Sequence, residues 1–188
     1  AARRRWHVSR RTLLSVGHLI ERKGHDLVIR ALEHLPEVDL IIAGDGPERG
    51  RLQRLAAKLG LDERVRFTGV LAHQDLPSLY SAADALVLAS SREGWPNVLL
   101  EALACGTPVI ASRNWGTPEI ISAPEAGHLL GERTPEAIAQ AFHRLTRSPP
   151  DRTRTRQFAE GFSWDATTDG LLALFSSFGT KDGLHLAA

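Results

Sequence analysis

The chain has 188 residues, of which 43% are hydrophobic and 24% are charged, the composition of an ordinary globular protein. Its formal net charge of +1 gives no electrostatic reason to expect nucleic acid or a membrane surface as partner. The single cysteine excludes an internal disulfide, and no apolar run approaches the roughly 20 residues of a membrane-spanning helix.

The N-terminal residues and the absence of methionine lead us to expect part of a longer protein. The chain contains no methionine at all, which is expected of an excised piece or a processed product. Residues 1–11 contain five arginines, and we interpret them as the tail of an interdomain linker or as a cloning remnant. A nucleic-acid-binding arm is the less favoured alternative.

Apolar, β-branched runs alternate with amphipathic stretches, a pattern typical of strand–helix–strand crossovers around a parallel sheet. We therefore predict an α/β domain over residues 12–178, with a doubly wound parallel sheet of about six strands, and a C-terminal tail over residues 179–188. The predicted strands are Leu13–Val16, Leu40–Ala43, Val65–Thr68, Ala85–Leu88, Val109–Ala111 and Gly127–Leu130. The predicted helices are His25–His34, Pro47–Leu59, Leu76–Ala82, Asn97–Ala104, Pro135–Thr146 and Trp164–Phe178.

The loop after the first predicted strand carries the first candidate ligand groups. In an open α/β sheet, ligands bind beyond the carboxyl ends of the strands, and Gly17–Gly24 follows such an end. Lys23 offers a point positive charge for a phosphate, and Gly24 lets the chain turn into the next helix. Solvated loop charges are the alternative interpretation of Arg22 and Lys23.

The run from Glu93 to Glu101 carries the most chemistry. Gly94 and Pro96 prevent an ordinary helix at the first carboxylate, whereas Asn97–Ala104 is a good helix former, so Glu93 should lie in a loop and Glu101 about one turn into a helix. A helix start leaves amides unpaired, here those of Gly94, Trp95, Asn97 and Val98. Two hydroxyl-accepting carboxylates beside an anion-binding helix start suit a sugar phosphate. Solvated surface charges are the alternative for the two glutamates alone.

These residues resemble the donor-binding segment of retaining glycosyltransferases with the GT-B fold, in particular glycosyltransferase family 4. That family has a Glu, seven residues and a second Glu, usually followed by an Ala-x-Ala-x-Gly-x-Pro-Val stretch. The matching positions here are Glu93, Glu101, Ala102, Ala104, Gly106, Pro108 and Val109. Lys23 and Gly24 match a second family segment. The resemblance covers roughly residues 12–178 and implies a Rossmann-like domain, the C-terminal half of a GT-B fold.

The resemblance implies transfer of a sugar from a nucleotide diphosphate sugar to an acceptor hydroxyl, with no metal and no other cofactor. Glu101 would accept hydrogen bonds from the ribose and Glu93 from the transferred sugar, while the helix-start amides meet the phosphate. Lys23, with Arg22, would stabilise the departing diphosphate, so the candidate catalytic residues are Glu93, Lys23 and Arg22. The candidate donor-binding residues are Gly17, His18, Lys23, Gly69, Val70, Leu71, Glu93, Gly94, Trp95, Asn97, Val98 and Glu101.

Two of these expectations have a qualification in the residues themselves. Backbone groups of Gly69, Val70 and Leu71 would face the nucleobase, so side-chain identity does not reveal the base. His18 stands where the family usually has an arginine, and a neutral imidazole offers one donor and no charge in place of a five-donor fork. Half of the expected diphosphate clamp is therefore in question, with Arg22 as the candidate replacement.

The expected partners are a nucleotide sugar and an N-terminal acceptor-binding domain of the same protein, and not nucleic acid. The isolated domain should bind donor weakly and transfer little, because a GT-B site closes between two halves. We expect a bacterial protein of the cytoplasm or of the inner face of the membrane, with peripheral membrane contact through the other half. The alternative is a non-catalytic Rossmann-like binding or assembly module with a vestigial nucleotide-sugar pocket, for which His18 is the best support.

Overall fold

A six-stranded parallel sheet lies at the centre of the domain. The computed structural model describes residues 1–179, so the predicted tail lies outside the described residues from residue 180 onwards. The strands are β1 Arg11–Val16, β2 Val38–Ala43, β3 Val65–Gly69, β4 Ala85–Leu88, β5 Val109–Ser112 and β6 Gly127–Leu130. All neighbouring strands pair in parallel, in the order β3-β2-β1-β4-β5-β6. The predicted doubly wound α/β fold is confirmed.

The helices differ from the predicted ones mainly where the sequence is polar or the helix is short. They are α1 Ala2–Arg5, α2 His25–Ala31, α3 Arg49–Lys58, α4 Leu76–Ala82, α5 Asn97–Ala104, α6 Thr117–Ile120, α7 Pro135–Arg147, α8 Arg152–Glu160 and α9 Trp164–Gly179. The sequence analysis missed α1, α6 and α8. The helix predicted to end at His34 finishes as a 3₁₀ turn, and α3 begins two residues after the predicted Pro47.

Alternate residues of the central strands enter two separate cores, one on each face of the sheet. In β1, Leu13 packs into the core beneath α2, α3 and α7, whereas Leu14 packs into the core beneath α4, α5 and α8. Val87 and Leu88 of β4 divide in the same way. Successive strand side chains point to opposite faces, so a strand with both faces covered is mostly apolar.

The strand order places a crevice between β1 and β4. From β1 the chain builds outward through β2 and β3, and it then returns to the other side of β1 with β4. The loops that leave β1 and β4 therefore diverge at the carboxyl edge of the sheet, where ligands bind in open α/β folds. Residues 17–24 and 89–96 form these two loops.

The N-terminal residues contact the rest of the domain, whereas the last described helix exposes apolar side chains. At the N-terminus, Arg3 forms an ion pair with Asp84 at 3.0 Å, and the indole Nε1 of Trp6 donates a hydrogen bond to Ser78 Oγ at 2.9 Å. These contacts attach residues 1–11 to the domain, and their assignment as a linker stays a prediction. At the other end, α9 exposes large apolar side chains, namely Leu171, Leu172, Leu174 and Phe175.

Candidate functional site

A cleft of about 330 Å³ opens at the crevice between β1 and β4. It lies between the loops that leave these strands and the first turn of α5, and its lining residues are Val16, Gly17, Lys23, Leu76, Tyr80, Glu93, Trp95, Pro96, Asn97, Val98 and Glu101. Seven of them belong to the predicted donor-binding set, namely Gly17, Lys23, Glu93, Trp95, Asn97, Val98 and Glu101. A larger, open depression of about 720 Å³ lies between α4, α5 and α8, away from the strand ends. Because the smaller cleft lies at the carboxyl edge of the sheet, where ligands bind in such folds, we take the smaller cleft as the candidate site.

Lys23 and Glu93 form an ion pair inside this cleft. The Nζ atom of Lys23 donates to Oε1 of Glu93 at 2.6 Å, and the two side chains are only 18% and 10% exposed. The nearest guanidinium nitrogen of Arg22 is 4.0 Å from the other carboxylate oxygen of Glu93. The cleft thus pairs the predicted phosphate-binding cation with the predicted sugar-binding carboxylate.

Backbone contacts hold the loops of this ion pair together. The amide of Ser91 donates to the carbonyl of Arg22 at 2.8 Å, and the Arg22 guanidinium donates to the carbonyl of Arg92 at 2.7 Å. Gly24 has a φ of +68°, and a Cβ there would lie 2.2 Å from the carbonyl oxygen of Ala89. The two loops therefore approach as closely as only a glycine permits, which fixes the distance between the neighbouring Lys23 and Glu93.

Glu101 has a partner that the sequence analysis missed. The hydroxyl of Tyr80, on α4, donates to Oε2 of Glu101 at 2.7 Å. Tyr80 is buried yet lines the cleft, and burial together with this hydrogen bond raises its pKa above the ordinary value. The tyrosine therefore stays neutral and donates, which fixes one carboxylate oxygen of Glu101 and leaves the other for a ligand.

The first turn of α5 supplies unpaired amides. Pro96 occupies the N-cap position without a side-chain cap, and its carbonyl accepts from the Leu99 amide at 3.0 Å. Within residues 1–179, the amides of Gly94, Trp95, Asn97 and Val98 donate no hydrogen bond. Because the N-terminus of a helix also carries partial positive charge, this turn is suited to an anion.

Glycines at the ends of β1, β2 and β3 bring the backbones together beside the cleft. Gly44 has a φ of +138°, and a Cβ there would lie 2.0 Å from the Gly17 carbonyl oxygen. The Gly44 amide in turn donates to the carbonyl of Gly69 at 2.8 Å. Val70 is 77% exposed and Leu71 packs against the core, so neither lines the cleft. Contact of residues 69–71 with a nucleobase stays a prediction.

His18 lies beside the cleft and does not line it. Its ring Nδ1 is 2.7 Å from the carbonyl oxygen of Asp45, in the turn after β2. The ring is held by that turn, although it remains exposed at the surface. Whether it reaches a bound diphosphate stays a prediction.

A second histidine, His25, lies beneath the same loop and was not singled out from the sequence. It is only 3% exposed, its Nδ1 is 2.9 Å from Ser15 Oγ, and its Nε2 is 3.4 Å from the carbonyl oxygen of His18. Burial lowers the pKa of His25 from 6.5 to about 4, against the opposing effect of the His18 carbonyl. The neutral ring can accept from Ser15 and donate to His18, so it connects β1 to the loop that carries Lys23.

Trp95 lines the cleft, and a second tryptophan, Trp115, contacts the loop that carries Glu93. Trp95 packs on Phe162, with ring centroids 6.4 Å apart, and on Gly116, where a Cβ would lie 2.8 Å from the indole. Trp115 is 73% exposed, and the Arg92 guanidinium lies 5.4 Å from the centre of its ring. Both tryptophans therefore border the Glu93 loop.

The described residues contain neither a cluster of metal ligands nor a helix that could span a membrane. In that part of the chain, no group of three or more His, Cys, Asp or Glu side chains is placed to hold a metal ion. No helix within residues 1–179 has both the length and the apolar character needed to cross a membrane. The expectation of metal independence stays a prediction.

Comparison with known proteins points to one family. A sequence profile of the family described as "Glycosyl transferases group 1" matches residues 2–162. The chain is 36% identical, over 170 residues, to the lipopolysaccharide core biosynthesis glycosyltransferase LpsE of Rhizobium meliloti, covering 88% of this chain and 49% of LpsE. The chain thus spans about half the length of this relative.

Solved structures show the same architecture. Sucrose-phosphate synthase from Thermosynechococcus elongatus superposes with a TM-score of 0.84 at 29% identity, covering 96% of this chain and 49% of that protein. Anabaena HepE in complex with UDP superposes with a TM-score of 0.82 at 25% identity, covering 93% of this chain and 51% of HepE. The fold described above is therefore shared with halves of larger proteins.

Proposed function

The chain belongs to the group 1 glycosyl transferases, and we propose that it is the donor-binding domain of a retaining, metal-independent glycosyltransferase. The reaction would transfer a sugar from a nucleotide diphosphate sugar to an acceptor hydroxyl. The observation that carries this proposal is the convergence of Lys23, Glu93, Glu101 and the unpaired amides of α5 on one cleft at the crevice of the sheet.

Each part of a nucleotide sugar has a complementary group in this cleft. The α5 amides and Lys23 supply hydrogen-bond donors and positive charge for the diphosphate, which is also the leaving group. Glu101, oriented by Tyr80, offers a free carboxylate oxygen to the ribose hydroxyls. Glu93 offers its carboxylate to the hydroxyls of the transferred sugar. Hydrogen bonds to a charged acceptor contribute about 1.5–3 kcal/mol each. The contacts that either glutamate makes to a nucleotide sugar should therefore contribute measurably to its affinity.

Catalysis would need a second domain over the cleft. The cleft is open to solvent, and the described side chains of α9 include the exposed Leu171, Leu172, Leu174 and Phe175. We propose that an acceptor-binding domain of the same protein covers the cleft and contacts this helix. The isolated domain would then bind a nucleotide sugar weakly and transfer little, because the reactants are positioned only when the halves close.

A non-catalytic module with a vestigial pocket remains the second candidate. It is favoured by His18, which takes the place of an expected arginine and has its ring held at the Asp45 carbonyl. The paired and oriented carboxylates argue against it, since a pocket without a ligand has no need for a tyrosine that orients Glu101.

The test is titration of nucleotide diphosphates and their sugars, with UDP and UDP-glucose first and the other bases next. Glu101→Gln should weaken UDP binding by about tenfold to a hundredfold, the range expected for lost hydrogen bonds to a charged acceptor. Glu33→Gln, an exposed glutamate at the 3₁₀ turn after α2, is the matched control and should change nothing. Absence of binding to every nucleotide tested would favour the vestigial pocket.

A further inference from the structure

Lys23 is already occupied by an anion of the protein itself. Its ammonium and the Glu93 carboxylate are 2.6 Å apart and mostly buried, so they attract each other with little screening by solvent. Among residues 1–179, Glu93 provides the one ion-pair partner of Lys23. A diphosphate that enters the cleft must take this ammonium from Glu93 or share it.

The two loops that carry the ion pair are joined through their backbones. The Ser91 amide and the Arg22 carbonyl join the two loops at 2.8 Å, and Gly24 meets Ala89 at a distance that excludes a Cβ. These contacts keep the two loops close together, so Lys23 and Glu93 stay within reach of each other. Diphosphate and carboxylate would share one small, partly buried region, where like charges repel.

The two forms of the nucleotide differ in what they offer Glu93. A nucleotide sugar brings hydroxyl donors, which can replace the ammonium as partners of the carboxylate while Lys23 turns to the diphosphate. A free nucleotide diphosphate brings negative charge and no such donors, so it leaves Glu93 beside an anion and short of partners. Burying a charge without its partner is unfavourable, and this penalty falls on the free nucleotide alone.

We propose that Glu93 is a specificity-determining residue that makes the cleft select the nucleotide sugar against the free nucleotide diphosphate, by competing with the diphosphate for Lys23. This inference rests on the proposed function and adds to it. Glu93 binds the sugar of the donor and weakens binding of the free nucleotide diphosphate, which is the product of transfer. It therefore favours release of the nucleotide after the sugar has been transferred.

The experiment measures the dissociation constants of UDP and UDP-glucose by calorimetry at low ionic strength. Glu93→Gln removes the competing charge and should tighten UDP binding about tenfold, because Lys23 becomes free for the diphosphate. Binding of UDP-glucose should stay unchanged or weaken, because the gain at Lys23 is offset by poorer contacts to the sugar hydroxyls. The selectivity for UDP-glucose over UDP should therefore fall by tenfold or more. Glu93→Ala, which also removes the charge, should shift UDP binding in the same direction.

Two further variants separate competition from general charge repulsion. Glu21→Gln removes a negative charge from the 3₁₀ turn that contains Lys23, and within residues 1–179 Glu21 forms no ion pair, so UDP affinity should change less than twofold. In a Lys23→Met background, Glu93→Gln should tighten UDP binding much less than in the wild type, because the contested cation is gone.

The outcomes distinguish this inference from the proposed function. Unchanged or weaker UDP binding by Glu93→Gln, while Glu101→Gln still weakens it, would overturn the competition and leave the donor site in place. An equal gain from Glu21→Gln would also overturn it, since any lost charge would then suffice. If no nucleotide diphosphate or nucleotide sugar, of any base, bound the wild type or a variant, the proposed function would fail as well.

Discussion

His25 should make the stability of the domain depend on pH between about 6.5 and 4. Its ring is buried between Ser15 and the His18 carbonyl, and burial lowers its folded-state pKa to about 4 from the ordinary 6.5. The positive charge of Lys23 acts in the same direction as burial, and Asp26 acts against it. The folded protein therefore holds this histidine neutral at a pH where the unfolded chain takes up a proton.

The sign and size of the effect follow from this difference. Since the unfolded state binds the proton more tightly, the stability due to neutral His25 is complete above pH 6.5 and is lost as the pH falls toward 4. The gap between 6.5 and about 4 corresponds to about 3 kcal/mol, at about 1.4 kcal/mol for each pH unit. This is a large part of the stability of an ordinary domain.

The assay is urea denaturation at pH 7, 6, 5 and 4.5 for three proteins. The free energy of unfolding of the wild type should fall across this range by about 2 kcal/mol more than that of His25→Gln, whose side chain cannot take up a proton. His143→Gln, which replaces an exposed histidine of α7, is the matched control and should fall as the wild type does. Parallel curves for the wild type and His25→Gln would refute the claim that the folded protein keeps this ring neutral.

Two other predictions test the geometry of the site and its supports. Tyr80→Phe should weaken UDP binding about three- to tenfold, the loss expected for one hydrogen bond. Binding of 2′,3′-dideoxy-UDP should stay unchanged, because that nucleotide lacks the hydroxyls that Glu101 would contact. Equal losses for both nucleotides would point to a merely structural role of Tyr80. Gly44→Ala should destabilise the fold by about 3 kcal/mol or more, because its Cβ would lie 2.0 Å from the Gly17 carbonyl oxygen. Gly60→Ala should cost only about 1–2 kcal/mol, because Gly60 has a φ of +67° but no described atom lies within 4 Å of the new Cβ. Equal losses of unfolding free energy in urea denaturation would contradict the close approach at Gly44.

Much of this fold could be predicted because its strands are buried on both faces. Strands buried on both faces are mostly apolar, so β4 was placed at its observed residues. Glycine and proline marked β6, which begins at Gly127 and is followed by Gly131, and α5, which follows Pro96. The helix α8 was missed because its sequence, Arg-Thr-Arg-Thr-Arg-Gln-Phe-Ala-Glu, buries only Thr155 and Ala159 and shows little apolar periodicity. A usable signal was present in Asp151, whose carboxylate accepts from the amides of Thr153 and Arg154 as an N-cap.

The loops of the site were found from residue types, but their pairings were not. Glycine, lysine and glutamate after predicted strands indicated where a ligand could bind, and seven of the predicted residues do line one cleft. The positions of His18 beside Asp45 and of His25 beneath the loop depend on contacts between separate strands' loops. Local propensity contains no information about such contacts, so the sequence pattern alone could not reveal them.

The two carboxylates of the cleft differ in the kind of partner that holds them, and this difference bears on what each can do. Glu101 is held by a neutral hydroxyl donor 21 residues before it, so it keeps its full negative charge for the hydroxyls of any nucleotide. Glu93 is held by a cation 70 residues before it, so its charge is largely neutralised until a ligand takes the cation away. A ribose is present in donor and product alike, whereas the sugar is present only in the donor. A carboxylate that is always available, that of Glu101, therefore suits the ribose. A carboxylate that is released only when a ligand takes Lys23 from it, that of Glu93, suits the transferred sugar.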